Sequence, residues 1–340
     1  MSANTLRSLL LRSIRTPSAR VSSRSFHSAY LRSYNHTTTT LHRKATFSTS
    51  RTTTPQPPTS TQEQQDSDSD MSEPTGLIAK SGIELLTFGT PNGHKVTILL
   101  EELKAVYGKE YTWQSINIMK NTQKEPWFTA INPNGRIPAI VDHDRNDFAV
   151  FEGLSILTYL TRHYDPENKF SFPVESDDYS VAEQWMAWQH GGVGPMQGQA
   201  NHFFRFAKEK IPYAVQRYVG ESERLYGILD KRLEGRDYIA GPGKGKYSIA
   251  DINIFGWANM CVFSGVELDR FPNIQKWLDC INKRPAVKKG LAIPFEASGF
   301  TNAGFLKSLE SDPEKKAQAE ELAKFLSEAK EKYGYKYTSP

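Results

Sequence analysis

The sequence predicts an α/β domain followed by an all-α domain. Three observations predict it. Between residues 83 and 164, short apolar runs of strand length alternate with helical segments. From about residue 177 the apolar residues instead recur at the helical spacing of i, i+3 and i+4. Between these regions, 165–176 carries Pro166 and Pro173 and reads as a linker.

The first domain is organised around Phe88-Gly89-Thr90-Pro91-Asn92-Gly93-His94-Lys95. An apolar strand at 83–88 enters this turn. A helix over 93–107 leaves it, with Val96, Leu99, Leu100 and Leu103 at helical spacing. Thr90 is suited to cap that helix, and Pro91 to its first position, where a missing N–H costs nothing. Asn92 then stands at the positive end of a helix as a neutral donor that does not titrate, a place for a thiolate or a carboxylate.

A second strand around 111–117 completes a β-α-β start, which implies a parallel pair with a right-handed crossover. A short apolar segment (Trp127, Phe128, Ile131) precedes Asn132-Pro133-Asn134-Gly135-Arg136-Ile137-Pro138. Strands at 139–142 and 148–151 flank a turn at 145–147 and read as a hairpin, and a helix over 153–164 closes the unit. This element order is thioredoxin-like and assigns 81–165 to one domain.

The second domain, 177–295, is helical by pattern. A long helix carries Trp185, Met186 and Trp188 and meets Gly191-Gly192-Val193-Gly194-Pro195, where Gly and Pro predict a bend. A second helix runs from about 212 to 233. Tyr247-Ser248-Ile249-Ala250-Asp251 is a capping box opening a buried helix with Ile252, Ile254, Phe255 and Trp257. A shorter helix spans 274–281 and ends before Arg284-Pro285. The tail, 296–340, is expected to carry one helix, started by Asp312 and Pro313, with Leu322, Phe325 and Leu326 on its apolar face.

The net charge of +4 belongs to a leader. Residues 1–62 hold nine Lys or Arg and no acid; the rest has 33 basic against 38 acidic residues, a net −5. A nucleic-acid role loses its electrostatic support. The leader is rich in Arg, Ser and Thr, and its first stretch (Leu6, Leu9, Leu10 and Ile14 with Arg7, Arg12 and Arg15) is amphipathic, the composition of a mitochondrial presequence. The region 1–80 therefore reads as presequence and disordered linker. Met71, after an acidic Ser/Asp run, reads as a second start that gives a cytosolic form. No apolar run reaches the length of a membrane span. The two cysteines, Cys261 and Cys280, have no paired spacing, support neither a disulfide framework nor a metal site, and are expected as small buried residues in helices.

Six pieces stand in one order: Thr90-Pro91-Asn92-Gly93; Asn134-Gly135-Arg136-Ile137-Pro138-Ala139-Ile140; Phe151-Glu152; Gly192-Val193-Gly194-Pro195-Met196; Ile211-Pro212-Tyr213-Ala214; and Ser248-Ile249-Ala250-Asp251. Over about 82–295 the chain resembles the glutathione transferase superfamily. Within it the chain is similar to the fungal nitrogen-regulator-like branch and its bacterial, nu-class-like disulfide-reductase relatives. The resemblance implies the glutathione transferase fold and glutathione as co-substrate, with no metal.

It also implies roles. Ile137-Pro138 matches the family's cis-proline turn, where the backbone of the preceding residue pairs with the cysteinyl part of glutathione. Glu152 and Gly153 match the grip on the γ-glutamyl end, but the family's usual Ser is Gly153 here and its hydroxyl is missing. A hydrogen bond to a charged group contributes about 1.5–3 kcal/mol, so affinity is expected about ten-fold lower or more. Arg217 matches an arginine that reaches bound glutathione. Trp188, Met196, Asn201, His202 and Phe203 lie on the bent helix that would wall a second-substrate pocket. Ser248 and Asp251 match a folding motif.

In the implied reaction, Asn92 or Thr90 donates to the glutathione sulfur and, with the helix dipole, favours the thiolate over a thiol of pKa ~8.5. The thiolate attacks an electrophilic carbon, as in detoxifying conjugation, or a disulfide; the residues do not choose between them. The turn has no cysteine of its own. The alternative is a non-catalytic, transferase-fold regulatory or protein-interaction module. A two-fold homodimer is expected, as in the family.

Overall fold

A computed structural model describes residues 73–295 and 301–334 of the 340. The expected presequence over 1–62 and the alternative start at Met71 lie outside the described residues.

The first domain is a four-stranded sheet in the order β2-β1-β3-β4. Strand β1 (Ile83–Thr87) pairs in parallel with β2 (Tyr111–Ser115), and Leu85 faces Trp113 across the ladder. Strands β3 (Ala139–Asp142) and β4 (Phe148–Phe151) form the antiparallel hairpin, and β3 also runs antiparallel to β1. Helix α1 (Pro91–Tyr107) makes the crossover, α2 (Pro126–Ile131) is short, and α3 (Gly153–Tyr164) follows the hairpin.

Helix α1 is the spine of the molecule. From Gly93 to Leu103 every residue is buried, because one side meets the sheet and α3 while the other meets the helical domain. Its apolar residues Val96, Ile98, Leu99, Leu100 and Leu103 are fully buried. Each such side chain contributes roughly 1.5–3 kcal/mol relative to exposure. Gly108, in the left-handed region at φ 67, ends the helix.

The second domain begins with α4 (Asp177–Trp188), capped by Ser176. Where Gly and Pro predict a bend, the chain widens into a π turn (Gln189–Val193) and resumes as α5 (Gly194–Asn201), with Pro195 in its first turn. A second π turn (His202–Phe206) ends this run. Helix α6 (Pro212–Arg232) packs on α5. Helix α7 (Ile249–Ala258) starts at the expected capping box. The Ser248 hydroxyl accepts from the Ala250 N–H, and the Asp251 carboxylate accepts from Ser248 N–H, Ile239 N–H and Trp277 Nε1–H. Helix α8 (Pro272–Asn282) is followed by α9 (Pro285–Leu291), which the sequence reading did not include.

Two glycines let the domains meet at backbone distance. A Cβ on Gly290 of α9 would lie 2.7 Å from Ile98 Cα, and one on Gly256 of α7 would lie 2.3 Å from Pro91 O. Beside the first contact, the Thr97 hydroxyl donates to Gly290 O at 2.7 Å.

The tail departs from expectation. It carries two helices, α10 (Asn302–Ser311) and α11 (Pro313–Tyr333), where one was expected. Thr301 caps the first through Gly304 N–H, and Asp312 caps the second with Pro313 at its first position, so the chain is cut at 312. The expected apolar face of α11 packs on the second domain: Leu326, with Leu322 and Phe325, joins Ala200, Phe204, Val215 and Val219.

Cysteine placement also differs. Cys261 is buried, but in the turn after α7, and Cys280 is exposed on α8 because the buried face of that helix is Ile274, Trp277, Leu278 and Ile281. No described helix is long and apolar enough to cross a membrane.

Candidate functional site

The site lies around the N-terminus of α1. The Thr90 side-chain oxygen accepts from Gly93 N–H at 3.2 Å and caps the helix, which leaves the hydroxyl hydrogen to donate elsewhere. Asn92 is half-buried in the first turn of the helix. Its Oδ1 accepts from Trp257 Nε1–H at 3.0 Å, a bond from the second domain. Among the described residues no acceptor takes the Asn92 side-chain NH2.

Ile137-Pro138 is a cis peptide bond, as the resemblance implied. Ile137 precedes β3, and among the described residues its backbone N–H and C=O make no hydrogen bond. That open main-chain pair can accept a short extended peptide as an added strand.

Glu152 stands at the N-cap of α3 with φ 70, a left-handed conformation uncommon for a residue with a side chain. Such strain costs of order 1–3 kcal/mol and persists where surrounding contacts hold it. Among the described residues no side chain caps α3 and the N–H groups of its first turn have no hydrogen-bond partner, which suits them to a carboxylate. Glu152 Oε2 lies 3.4 Å from His190 Nε2. Gly153 is buried at the first helical position, and a Cβ there would meet Lys95 Cδ at 3.5 Å, an ordinary contact.

Lys95 is the residue beneath Gly153. It is 2 % exposed, and its Nζ donates to Gln189 Oε1 at 2.7 Å. Burial pulls its ammonium down to about 7, and the Glu152 carboxylate acts in the opposite direction. The neighbouring His94 is also buried, and burial holds its imidazole down at about 4, so it is neutral at physiological pH.

The remaining sequence-derived residues stand in several packing environments. Arg217, on α6, lies 3.6 Å from Glu221, whose carboxylate also accepts from Nε and Nη2 of Arg224. Trp188 and Met196 pack on the main core, and Trp188 meets Trp185 edge to face. Asn201 is buried. Phe203 stacks on Tyr218 within the cluster covered by the tail, and His202 is exposed with its ring against Phe203.

Three residues of the site were missed: Trp257, Lys95 and Gln189. Trp257 reads as core because its helix is apolar throughout, yet a buried indole N–H needs an acceptor, and that is the signal that was available. Lys95 has no such local mark: it follows Asn92, Gly93 and His94 and stands before the apolar run, so its sequence neighbours do not show that it is buried.

The family description "Glutathione S-transferase, N-terminal domain" matches residues 90–163, and "Glutathione S-transferase, C-terminal domain" matches 198–285. The chain is 38 % identical over 213 residues to the disulfide-bond oxidoreductase YfcG of Escherichia coli, covering 62 % of this chain and 94 % of that protein. A glutathione transferase homolog from Lodderomyces elongisporus, solved with two GSH per subunit, superposes with a TM-score of 0.59 at 37 % identity, over 63 % of this chain and 99 % of its own. The yeast protein Ure2p in complex with glutathione superposes with a TM-score of 0.58 at 32 % identity, over 63 % and 96 % respectively.

Proposed function

The chain belongs to the glutathione S-transferase family, and from that premise we propose that it is a glutathione-dependent enzyme whose nucleophile is the glutathione thiolate. One observation carries the reading. The Asn92 amide sits in the first turn of α1 with its oxygen held by Trp257 and its NH2 without an acceptor among the described residues, so it is a neutral donor at a positive helix end. A sulfur placed there gains a hydrogen bond in its anionic form. Thr90 supplies a second hydroxyl donor.

Glutathione lies with its cysteinyl backbone along Ile137 and its γ-glutamyl carboxylate at the uncapped first turn of α3, beside Glu152 and Gly153. Arg217, on α6 beside Glu221, is the contact we propose from the second domain. The substrate is a disulfide or a small electrophile, and disulfide reduction is the reading we favour. The turn from Phe88 to His94 has no cysteine, so both sulfurs of the exchange come from glutathione. The first thiolate attacks one sulfur of the disulfide and the other sulfur leaves as a thiolate that takes a proton. A second glutathione thiolate then attacks the mixed disulfide, which releases oxidised glutathione and the second thiol. The name of the E. coli relative and the two GSH in the Lodderomyces structure support this order.

Calorimetric titration of the full chain with reduced and, separately, oxidised glutathione tests the reading. Binding of the oxidised form at least as tight as the reduced form is expected. Preference for the reduced form alone would favour conjugation. Binding of neither would favour a non-catalytic protein-interaction module.

Localisation and assembly belong to the same proposal. The nine basic and no acidic residues of 1–62 direct the chain to mitochondria, and initiation at Met71 gives a cytosolic form. Glu73 already bonds the Thr122 hydroxyl and Lys120, so processing upstream of it leaves those contacts intact. Mass spectrometry of the N-terminus in each compartment checks this; one processed mitochondrial form alone would refute the second start. The chain forms a homodimer, which sedimentation at micromolar concentration checks.

A further inference from the structure

We infer that Trp257 is a positioning residue for Asn92: a bond from the helical domain fixes the amide so that only its donor side can meet the glutathione sulfur. The inference rests on the reading of Asn92 as a donor to the thiolate. An indole nitrogen only donates, whereas an asparagine side chain both donates and accepts. The 3.0 Å contact between Trp257 Nε1 and Asn92 must therefore engage Oδ1, which turns Nδ2 away from Trp257. Without that partner the amide rotates freely, and in half of its orientations it would present an oxygen to an anionic sulfur.

The surroundings of Trp257 are built to hold the indole still. It is 8 % exposed. Its ring lies against two glycines of α5: a Cβ on Gly194 would fall 3.4 Å from Trp257 Nε1, and one on Gly198 would fall 3.5 Å from Cη2. The backbone carbonyl of Trp257 accepts from Gln197 Nε2 at 3.0 Å, and Gln197 is itself held by Tyr226 and Ser264. Gly256 lets the helix approach, since any side chain there would strike Pro91 O. The donor thus stands on a rigid helix, one residue from the point where the two domains touch, and a site is set most accurately from such an element.

The decisive experiment titrates the thiol of bound reduced glutathione by thiolate absorbance in the wild type, Asn92→Ala, Trp257→Phe and the double variant. Asn92→Ala is expected to raise the titration midpoint by about one pH unit or more, the size of one hydrogen bond to a charged group. Trp257→Phe should raise it by at least half as much, and the double variant should match Asn92→Ala alone. Binding of S-methylglutathione, which has no thiol, should change less than about two-fold in Trp257→Phe, since a 1.4 kcal/mol effect would be ten-fold.

A shift in Asn92→Ala with none in Trp257→Phe would overturn the positioning role and leave the Asn92 reading standing. No shift in either would overturn that reading and this inference with it. Equal loss of S-methylglutathione binding in Trp257→Phe would make Trp257 a structural residue only. Should Trp257→Phe fail to fold, benzothienylalanine at 257 keeps the ring shape and deletes the N–H, and the same outcomes decide.

Discussion

Arg284 grips Glu102 with two hydrogen bonds, Nε to Oε1 at 2.6 Å and Nη2 to Oε2 at 2.9 Å, where the helical domain meets α1. The guanidinium also lies 3.9 Å over the Tyr247 ring. Glu102 is 3 % exposed, so its charge has little water to turn to. Removing the arginine leaves an uncompensated buried carboxylate, a loss of about 3–5 kcal/mol. Arg284→Met should lower the unfolding free energy read from denaturant curves by that amount, and Glu102→Gln combined with Arg284→Met should recover part of it. Equal losses in the single and double variants would contradict the pairing.

Gly153 leaves room for the serine that the resemblance leads one to expect. The added Cβ meets only Lys95 Cδ, at 3.5 Å, and the position is helical. Gly153→Ser should tighten glutathione binding about ten-fold through one hydrogen bond to its glutamyl carboxylate. Calorimetry reads this directly. Ser155, two residues on, is exposed and does not fill the role.

Lys95 makes stability depend on pH in the alkaline range. Its folded-state value is pulled from the ordinary lysine range down to about 7 by burial, against Glu152. Between about 7 and the unfolded value near ~10.4, the unfolded chain holds this proton and the folded chain does not. Raising the pH through that window therefore favours the folded state. The cost of burying the ammonium is fully present below it. Thermal midpoints of wild type and Lys95→Met should diverge between pH 7 and 10, with the wild type gaining relative to the variant. Parallel curves would refute the shift.

What the sequence revealed and what it hid divide by range. The turn at Thr90-Pro91, the hairpin of β3 and β4, and the box at Ser248 and Asp251 are local patterns. Each is set by neighbours a few residues apart, and the structure has them. The contact between Asn92 and Trp257 joins residues 165 apart, and no periodicity marks it. The burial of Lys95 likewise depends on how the second domain covers α1. Cys280 was expected inside from its residue type alone, yet the phase of α8 turns it out. In the tail, the signal of α11 was strong enough to hide the shorter α10, whose cap at Thr301 is the only local mark of its start.

The tail is part of the second domain. Leu326 is 6 % exposed against Phe204 and Val219, and Lys330 Nζ donates to Glu223 at 2.9 Å, a carboxylate with no exposure that also pairs with Arg270. Leu326→Ala should cost about 2 kcal/mol or more. Lys330→Ala should destabilise further in the same background, because Glu223 loses a buried partner. Melting curves insensitive to both would mean the tail detaches before the domain unfolds.

The account turns on one side chain. The most direct measurement is the glutathione-dependent reduction of a small dialkyl disulfide by wild type and Asn92→Ala at saturating glutathione. Loss of one hydrogen bond to the thiolate predicts a rate about ten-fold lower or more in Asn92→Ala, with the fold intact and oxidised-glutathione binding retained. An unchanged rate would place the activation of the sulfur elsewhere and contradict the account.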